Sequence, residues 1–276
     1  MSNLPDNLMS VLYITTFLAY AALSVIFLRA QFAGNVEALN RGLLGNAVLL
    51  PLVLHGYLLY STLWSAGALS LGLVNVLSLI LWLTLAVYWV ANFYYPLASL
   101  KALVLPLAAV GVVLPLVFAN TKIMLQPTSW LFDAHVLAAM LAYSLFTIAA
   151  LHAGLMSLAE NGLHKARLPL LLRNLPPLLT MEKLLFRIIA AGFVLLSLTL
   201  LSGAFFSEQI FGKAWQLNHK VLFGFISWLV FAVLLAGHRL YGWRGRTAVT
   251  WTMSGFGLLV LAYIGSKFVL EVILQR

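Results

Sequence analysis

The chain has 276 residues, of which 63% are hydrophobic and only 8% are charged, and its mean hydropathy is +1.02. This composition excludes a soluble globular domain and predicts an integral membrane protein. The formal net charge of +9 does not indicate nucleic-acid binding, because the basic residues lie in short loops between apolar runs, as they do in membrane proteins.

Eight apolar runs have the length of a helix that crosses ~30 Å of hydrocarbon. They are Met9–Leu28, Leu43–Leu63, Leu69–Ala91, Leu97–Val117, His135–Leu158, Leu184–Ala204, His219–Ala236 and Ala248–Val269. Backbone polar groups inside a bilayer must be satisfied within their own segment. The runs therefore predict an all-α, polytopic membrane helix bundle that forms a single integral membrane domain over residues 1–276.

Local features add three expectations about these spans. No Lys or Arg precedes the first run, which predicts an uncleaved first span rather than a removed signal peptide. Pro51 lies inside span two, and Pro106 and Pro115 lie inside span four, so we expect local bends there. Thr180 is expected to cap the start of span six, with the Glu182 carboxylate at the positive end of that helix dipole in a structural role.

Lysine and arginine are unevenly divided between the two sides of the spans. Eleven of the 16 basic residues lie in the loops after spans one, three, five and seven, and five lie on the opposite side or near the C-terminus. Because cytoplasmic loops hold the excess of Lys and Arg, the sequence predicts that both termini lie outside (N-out/C-out). The loop at 160–183 is then cytoplasmic.

Four of the six histidines lie at the two ends of spans five and seven. His135 and His219 begin these spans on the predicted outer side. His152 and His238 follow 17 and 19 residues later, which at 1.5 Å per residue is about 25 and 28 Å deeper. His55 lies within span two, where an ionisable side chain is costly and suggests a function. Interfacial anchoring or a structural hydrogen bond is the alternative for each of them.

Haem suits this set of side chains better than zinc or a proton path does. Zinc prefers three or four His, Cys or carboxylate ligands, but the chain has no cysteine and only seven acidic residues. A haem iron needs one imidazole on each axial side, within an apolar and aromatic cleft. Aromatic residues on or beside spans five to seven are Trp130, Phe132, Tyr143, Phe205, Phe206, Trp215, Phe223 and Trp228.

The matched depths predict two haem sites. At the outer site His135 and His219 would be axial ligands of one iron. At the inner site His152 and His238 would bind a second iron, with His55 as a substitute partner. Because the absence of cysteine excludes covalent attachment to this chain, the predicted cofactor is haem b. A zinc site and a transporter of small solutes or ions stay open as alternatives.

Four segments of the C-terminal half resemble the cytochrome c assembly family. They are 135-HVLAAMLAYSLFTIAALHAG-154, 176-PPLLTMEKLLFRIIAAGFVLLSLTLLSGAF-205, 228-WLVFAVLLAGHR-239 and 255-GFGLLVLAYIGSKF-268. The second segment is the most specific. The resemblance is to the CcsA, ResC and HemX-like members, and in particular to the YpjD-type inner membrane proteins.

The resemblance implies a haem-handling core over residues 130–265 and a role in cytochrome c-type biogenesis in the bacterial cytoplasmic (inner) membrane. It implies that His135 is an external haem ligand and His238 an intramembrane one, whereas His219 is proposed on its depth alone. The implied partners are haem, the lipid bilayer, and apocytochrome c or other cytochrome assembly proteins, with no nucleic acid.

One family segment is mostly missing. The tryptophan-rich external segment W-G-x-x-W-x-W-D-P-K presents haem to apocytochrome, and in the equivalent loop at 205–220 only Trp215 and Lys220 match it. The resemblance therefore does not support haem-lyase activity, and no catalytic residue is predicted. Two functions stay open: a protein that transports, holds or presents haem or assists cytochrome c maturation, and a non-enzymatic accessory or regulatory subunit of the same fold without stable haem.

Overall fold

The computed structural model describes residues 6–65, 68–95, 97–118, 125–127, 129–164, 175–211, 219–269 and 273. Within these residues, eight helices are long and apolar enough to cross a membrane. They are Asn7–Ala33, Leu43–Leu63, Leu73–Ala91, Ala98–Val117, Trp130–Gly162, Leu178–Ala204, His219–Tyr241 and Gly245–Phe268. The predicted all-α, polytopic architecture is confirmed, and its N-out/C-out orientation stays a prediction.

The chain divides into two compact units. The first comprises residues 1–128 with 169–175, and the second comprises 129–168 with 176–276. Apart from residues 169–175, the core predicted at 130–265 falls within the second unit. Its role in handling haem, and its place in one domain over 1–276, stay predictions.

The first unit is a bundle of four long helices with two short ones. Its helices are α1 (Asp6–Ala33), α2 (Val36–Arg41), α3 (Leu43–Asn46), α4 (Leu49–Leu63), α5 (Leu73–Ala91) and α6 (Lys101–Val117), the last preceded by a 3₁₀ turn at Ala98–Leu100. Helices α1 and α5 each pack on both α4 and α6, which closes the bundle. Its core contains Tyr20, Phe27, Leu58 and Leu105, all buried.

A small antiparallel sheet at one end of this unit was not predicted from the sequence. Its strands are β1 (Trp64–Ser65), β2 (Ala68–Ser70) and β3 (Leu125–Pro127), with β2 in the middle. Pro127 has no backbone N–H and lies in an edge strand, where proline is tolerated. Strands of two or three residues are too short to show an alternating pattern.

Span two is interrupted rather than bent at Pro51. Ala47 and Val48 form a turn between α3 and α4, and Pro51 lies in the first turn of α4, where the backbone N–H that proline lacks is not needed. The disturbance expected from Pro51 is therefore a break that begins four residues earlier, at Ala47, rather than a bend. Pro106 and Pro115 do lie inside α6.

Lys101, the first residue of α6, is 1% exposed. Its ammonium group donates hydrogen bonds to the Asn40 side chain on α2 and to the Gly45 carbonyl on α3, the latter at 2.8 Å. It also lies 4.9 Å from the centre of the Phe27 ring on α1. These contacts stabilise the buried cation and hold α2 and α3 against the bundle. The count of Lys and Arg that predicts membrane orientation does not reveal this role.

The second unit is also a closed bundle of four long helices. They are α7 (Trp130–His164), α8 (Leu178–Phe211), α9 (His219–Tyr241) and α10 (Gly245–Val260), followed by a π-helical turn at Leu261–Gly265 and by α11 (Ser266–Phe268). The Ser129 hydroxyl accepts a hydrogen bond from the Phe132 N–H at 3.2 Å and so caps α7. Helices α7 and α9 each pack on both α8 and α10, so α7 and α9 lie diagonally across the bundle.

Two stacked phenylalanines fill the middle of this second bundle. The rings of Phe146 on α7 and Phe231 on α9 are 3.9 Å apart between centroids and 18° from parallel, and both are fully buried. A Cβ at Gly192 on α8 would lie 3.1 Å from the Phe146 ring, and a Cβ at Gly255 on α10 would lie 2.8 Å from the Phe231 ring. The two glycines therefore leave the space that the stacked rings occupy. It separates an outer end, which contains His135, from an inner end.

Candidate functional site

The phenylalanine stack gives a common level from which the depths of the histidines can be measured. Helices α7 and α9 run in the same direction, because successive spanning helices alternate. His135 lies 11 residues before Phe146, and His219 lies 12 residues before Phe231. At 1.5 Å per residue these distances are about 16 and 18 Å. The two histidines thus lie at nearly the same level of the outer end.

The other two histidines match at the inner end. His152 follows Phe146 by six residues, and His238 follows Phe231 by seven, which is about 9 and 10 Å along the helix axes. Each predicted pair therefore consists of one histidine on α7 and one on α9 at matched depth. That both members of a pair bind one iron stays a prediction.

The His135 ring is oriented by α8. Its Nδ1 lies 2.7 Å from the Ser202 hydroxyl, whose own hydrogen is donated to the Leu198 carbonyl at 2.7 Å. The serine oxygen must therefore accept from an Nδ1–H group, and the lone pair of the neutral ring lies on Nε2. Phe132 stacks beside the ring at 6.4 Å and 25°. A histidine whose Nδ1–H is held by an acceptor has the tautomer that ligates metals through Nε2.

His219 is the first residue of α9, and its side chain is exposed. Its predicted neighbour Trp215 lies outside the described residues. Exposure at the end of a spanning helix fits either a ligand at the membrane surface or an interfacial anchor.

His152 is 2% exposed and lies between α7 and α8. Its Nε2–H donates to the Met181 carbonyl at 2.8 Å. Because a carbonyl only accepts, the proton lies on Nε2 and the lone pair lies on Nδ1. This Nδ1 is buried and has no hydrogen-bond partner among the residues that the structure describes. Burying an acceptor without a hydrogen bond costs free energy. The lone pair on Nδ1 is also able to bind a ligand.

His238 is held at the end of α9 by the turn that follows it. Its Nδ1–H donates to the Trp243 carbonyl at 2.9 Å, and its ring stacks on Phe186 of α8 at 3.5 Å and 12°. The lone pair of the neutral ring is therefore on Nε2. Stacking covers one face of the imidazole. It does not cover the in-plane direction of Nε2, along which a metal would bind.

His55 lies at the centre of the first bundle and is 1% exposed. Its Nε2 lies 3.0 Å from the Ser78 hydroxyl on α5, the Tyr20 ring on α1 meets it edge-on at 5.9 Å, and a Cβ at Gly111 on α6 would lie 3.7 Å from its ring. Neither its Nδ1 nor the Tyr20 hydroxyl has a hydrogen-bond partner among the described residues. Its pairing with a histidine of the second unit stays a prediction.

The Glu182 carboxylate contacts the start of α10, whereas it was expected to lie at the start of its own helix, span six. Its carboxylate accepts a hydrogen bond from the Gly245 N–H at 3.4 Å and lies 3.5 Å from Arg244 Nε, so the charge is at the start of α10. Thr180 lies inside α8, which begins at Leu178, and is not its N-cap. A structural role for Glu182 stays a prediction, and the helix whose start its carboxylate contacts is α10.

The described part of the chain offers no suitable set of ligands for zinc. No group of three or more His, Cys, Asp or Glu residues is placed there to hold a metal ion. Haem differs because the porphyrin supplies four of the ligands and the protein only the axial ones. The pairs of imidazoles at matched depth fit that lower requirement, and hydrogen bonds fix the lone pairs of His135, His152 and His238.

Two kinds of comparison relate this chain to known proteins. The model of the family described as Cytochrome C assembly protein matches residues 44–274. The inner membrane protein YpjD of Escherichia coli strain K12 is 34% identical over 139 residues, which cover 50% of this chain and 52% of that protein. The cytochrome c biogenesis protein CcsA of Prochlorococcus marinus strain MIT 9515 is 36% identical over 88 residues, which cover 32% of this chain and 28% of that protein. No solved structure matches.

The extent of these matches limits what each supports. The chain spans about half the length of the YpjD relative and less of CcsA. The eight membrane-length helices and the inner-membrane relative support a multi-pass protein of the inner membrane. The family model covers most of the chain, including all four segments on which the sequence resemblance was based. The chain therefore belongs to the cytochrome c assembly protein family.

Proposed function

We propose that this protein handles haem b in the bacterial inner membrane, where it transports, holds or presents haem or otherwise assists cytochrome c maturation. The observation that carries the proposal is the His135 imidazole. Its Nδ1–H is fixed by Ser202 on the neighbouring helix, which makes Nε2 the atom that would bind iron. His219 begins the diagonal helix at nearly the same depth.

Haem, when bound, supplies an iron with axial positions for two imidazoles. At the outer end His135 and His219 would hold it, with Phe132 against the first of these rings and Trp215 as a further aromatic contact. No cysteine is present, so the group would be held noncovalently. The protein's own contribution is to orient the imidazole and to exclude water from the bundle interior.

A second haem would bind at the inner end through His152 and His238. The buried Nδ1 of His152 has no partner among the described residues, and the Nε2 lone pair of His238 follows from its bond to the Trp243 carbonyl. A metal ion would remove the energetic cost of the buried acceptor on His152.

A second candidate function is an accessory or regulatory membrane subunit that binds no haem stably. The hydrogen bonds from His135 to Ser202 and from His152 to Met181 both join α7 to α8. Such contacts stabilise helix packing without any cofactor. An accessory role therefore requires no more from these two histidines than the bonds they already make.

The decisive experiment is an absorbance spectrum of the protein purified from haem-replete cells, oxidised and reduced. We expect a Soret band with the features of bis-imidazole haem b. His135→Ala and His219→Ala should each remove the same haem population, and the double variant should remove no more. His164→Ala, at a histidine with no predicted ligand role, is the matched control.

Three results would count against parts of this proposal. An unchanged spectrum in His219→Ala would remove that residue from the outer site. Loss of haem in the His164 control would show that the assay reports folding rather than ligation. Wild-type protein without any Soret band, from cells in which a known haem protein is fully loaded, would favour the accessory subunit.

A further inference from the structure

Two lysines of the second unit lie near the outer ends of its spanning helices, and one of them is buried. Lys267, on α11, is only 5% exposed. Lys220 is the second residue of α9, and its ammonium nitrogen lies 5.8 Å from the centre of the Tyr263 ring, within the range of a cation–π contact. This contact directs Lys220 toward α10. A buried cation in a spanning segment is costly, and such residues commonly mark a binding site.

Both lysines lie at the level of His135. The Tyr143 hydroxyl donates to the Leu259 carbonyl at 2.8 Å, which places these two residues of α7 and α10 at one level. His135 lies eight residues before Tyr143, and Lys267 lies eight residues after Leu259 toward the same end. His135 is therefore about 12 Å from this level, and Lys267 is slightly nearer to it because residues 261–265 form a π-helical turn with a smaller rise per residue.

The position of Lys220 follows from the phenylalanine stack. It lies 11 residues before Phe231, or about 16 Å. Phe146, at the level of Phe231, is three residues inward of Tyr143, or about 4 Å. Lys220 thus also lies about 12 Å outward of Tyr143. Three helices thus bring the backbones of His135, Lys220 and Lys267 to about one level.

The backbone at this place is unusual as well. Helix α10 ends in a π-helical turn, Leu261–Gly265, directly before Lys267, and such turns often occur at functional sites. Tyr263 within this turn meets Tyr143 edge-on at 6.2 Å. The described acidic residues nearest this level are Asp133 on α7 and Glu208 on α8.

We propose that Lys220 and Lys267 bind the two carboxylates of a porphyrin whose iron is bound at His135. The inference rests on the proposed function and adds to it the groups that would recognise the acidic edge of the ligand. Ammonium–carboxylate hydrogen bonds are short and stronger than neutral ones, and a site shielded from water enhances them. The imidazole would then fix the iron while the lysines fix the rotation of the ring about the axial bond.

The test uses metal-free protoporphyrin, which has both carboxylates but no iron, and its dimethyl ester, which has neither charge. Binding to the full chain in nanodiscs of zwitterionic lipid is measured by porphyrin fluorescence. We expect wild-type protein to bind the diacid at least tenfold more tightly than the diester. Lys220→Met and Lys267→Met should each lower the diacid affinity about tenfold and leave the diester affinity unchanged.

Three controls separate charge recognition from folding. Lys183→Met, at an exposed lysine near the inner end, should change neither affinity. Lys220→Arg and Lys267→Arg keep the charge and should retain the preference for the diacid. Thermal unfolding of each variant shows whether a lost preference reflects a lost fold.

This test distinguishes the failure of the inference from the failure of the proposed function. Equal wild-type affinities for diacid and diester, or a preference that survives both methionine substitutions, would overturn the lysine site even if the haem spectrum depends on His135. A diacid preference that depends on the lysines, without any iron spectrum that depends on His135, would support carboxylate binding and overturn the proposed haem ligation. Loss of porphyrin binding in every lysine variant, including the arginine variants that remain folded, would also overturn the inference.

Discussion

The stacked phenylalanines lead to a prediction about two glycines of one helix. In Gly255→Ala the new Cβ would lie 2.8 Å from Phe231 Cζ and 3.0 Å from the nearer Cε atom. The Phe231 ring is fully buried and is stacked on Phe146 at 3.9 Å, so it has little space into which to retreat. In Gly257→Ala, two residues later in α10, the new Cβ would lie within 4 Å of no described atom outside the backbone of its own helix.

The expected loss of stability follows from comparing the free energies of unfolding of the two variants. Alanine is favoured over glycine inside a helix by about 0.8–1.0 kcal/mol, and this gain is the same at both positions. Overpacking a filled core costs about 1–3 kcal/mol, and it arises only at Gly255. The free energy of unfolding of Gly255→Ala should therefore be about 1–3 kcal/mol below that of Gly257→Ala.

The assay is thermal unfolding of both variants and wild type, purified in the same detergent. At about 2–4 °C for each kcal/mol in a domain of this size, Gly255→Ala should unfold several degrees below Gly257→Ala. Adding Phe231→Leu to Gly255→Ala should recover part of the difference, because it removes the atoms that clash. Equal unfolding temperatures would mean that the middle of the bundle is loosely packed and would refute the separation into two ends.

Further predictions concern single residues and the topology. Ser202→Ala should weaken haem binding at the outer end by 10–100-fold without unfolding the protein, and an unchanged affinity would show that the serine does not position its histidine partner. Lys101→Met should lower the free energy of unfolding by about 1–3 kcal/mol by leaving buried acceptors unsatisfied, whereas Lys183→Met should lower it little. Glu182→Gln should cost only about 0.3–1 kcal/mol and keep the haem spectrum; a folded variant without haem would assign this carboxylate a functional role. A reporter fused after Arg276 should be active in the periplasm, and cytoplasmic activity would reverse the proposed outer and inner ends.

The spans and the depths of the histidines could be predicted because both depend on simple lengths. A run of about 20 apolar residues fixes a crossing, and a constant rise per residue converts spacing into depth. Pro51 predicted a disturbance of span two, but not that it would be a complete break, because Ala47 and Val48 have no turn-forming character. The three short strands also lack any periodic signal.

The tautomers of the histidines needed the structure. His152 and His238 both donate to backbone carbonyls, of Met181 and Trp243, and every residue has a carbonyl. The Ser202 partner of His135 lies 67 residues away and resembles any other serine in an apolar run. Sequence reasoning could place the imidazoles but not decide which nitrogen holds the lone pair.

One feature of the sequence indicates the phenylalanine stack. Phe146 and Phe231 are ordinary members of apolar runs. Gly192 and Gly255, however, lie inside long helices, where glycine is unfavourable, and such glycines often permit close packing. Pairing glycines with aromatic residues on neighbouring helices would have pointed to this part of the bundle.

The stack finally determines how the two proposed haem sites should relate to one another. A planar ligand cannot occupy the middle of the bundle while the two rings are in contact, so ligands held by α7 and α9 must bind at one end or the other. His135 and His152 are separated by 17 residues, or about 25 Å, and substitutions at this distance normally act independently. His135→Ala and His152→Ala should therefore each remove one haem population, with additive losses in the double variant, measured by reduced-minus-oxidised spectra against protein concentration. If either single substitution removed all of the haem, the two histidines would serve one population that moves between the ends, and the stack would have to open to let it pass.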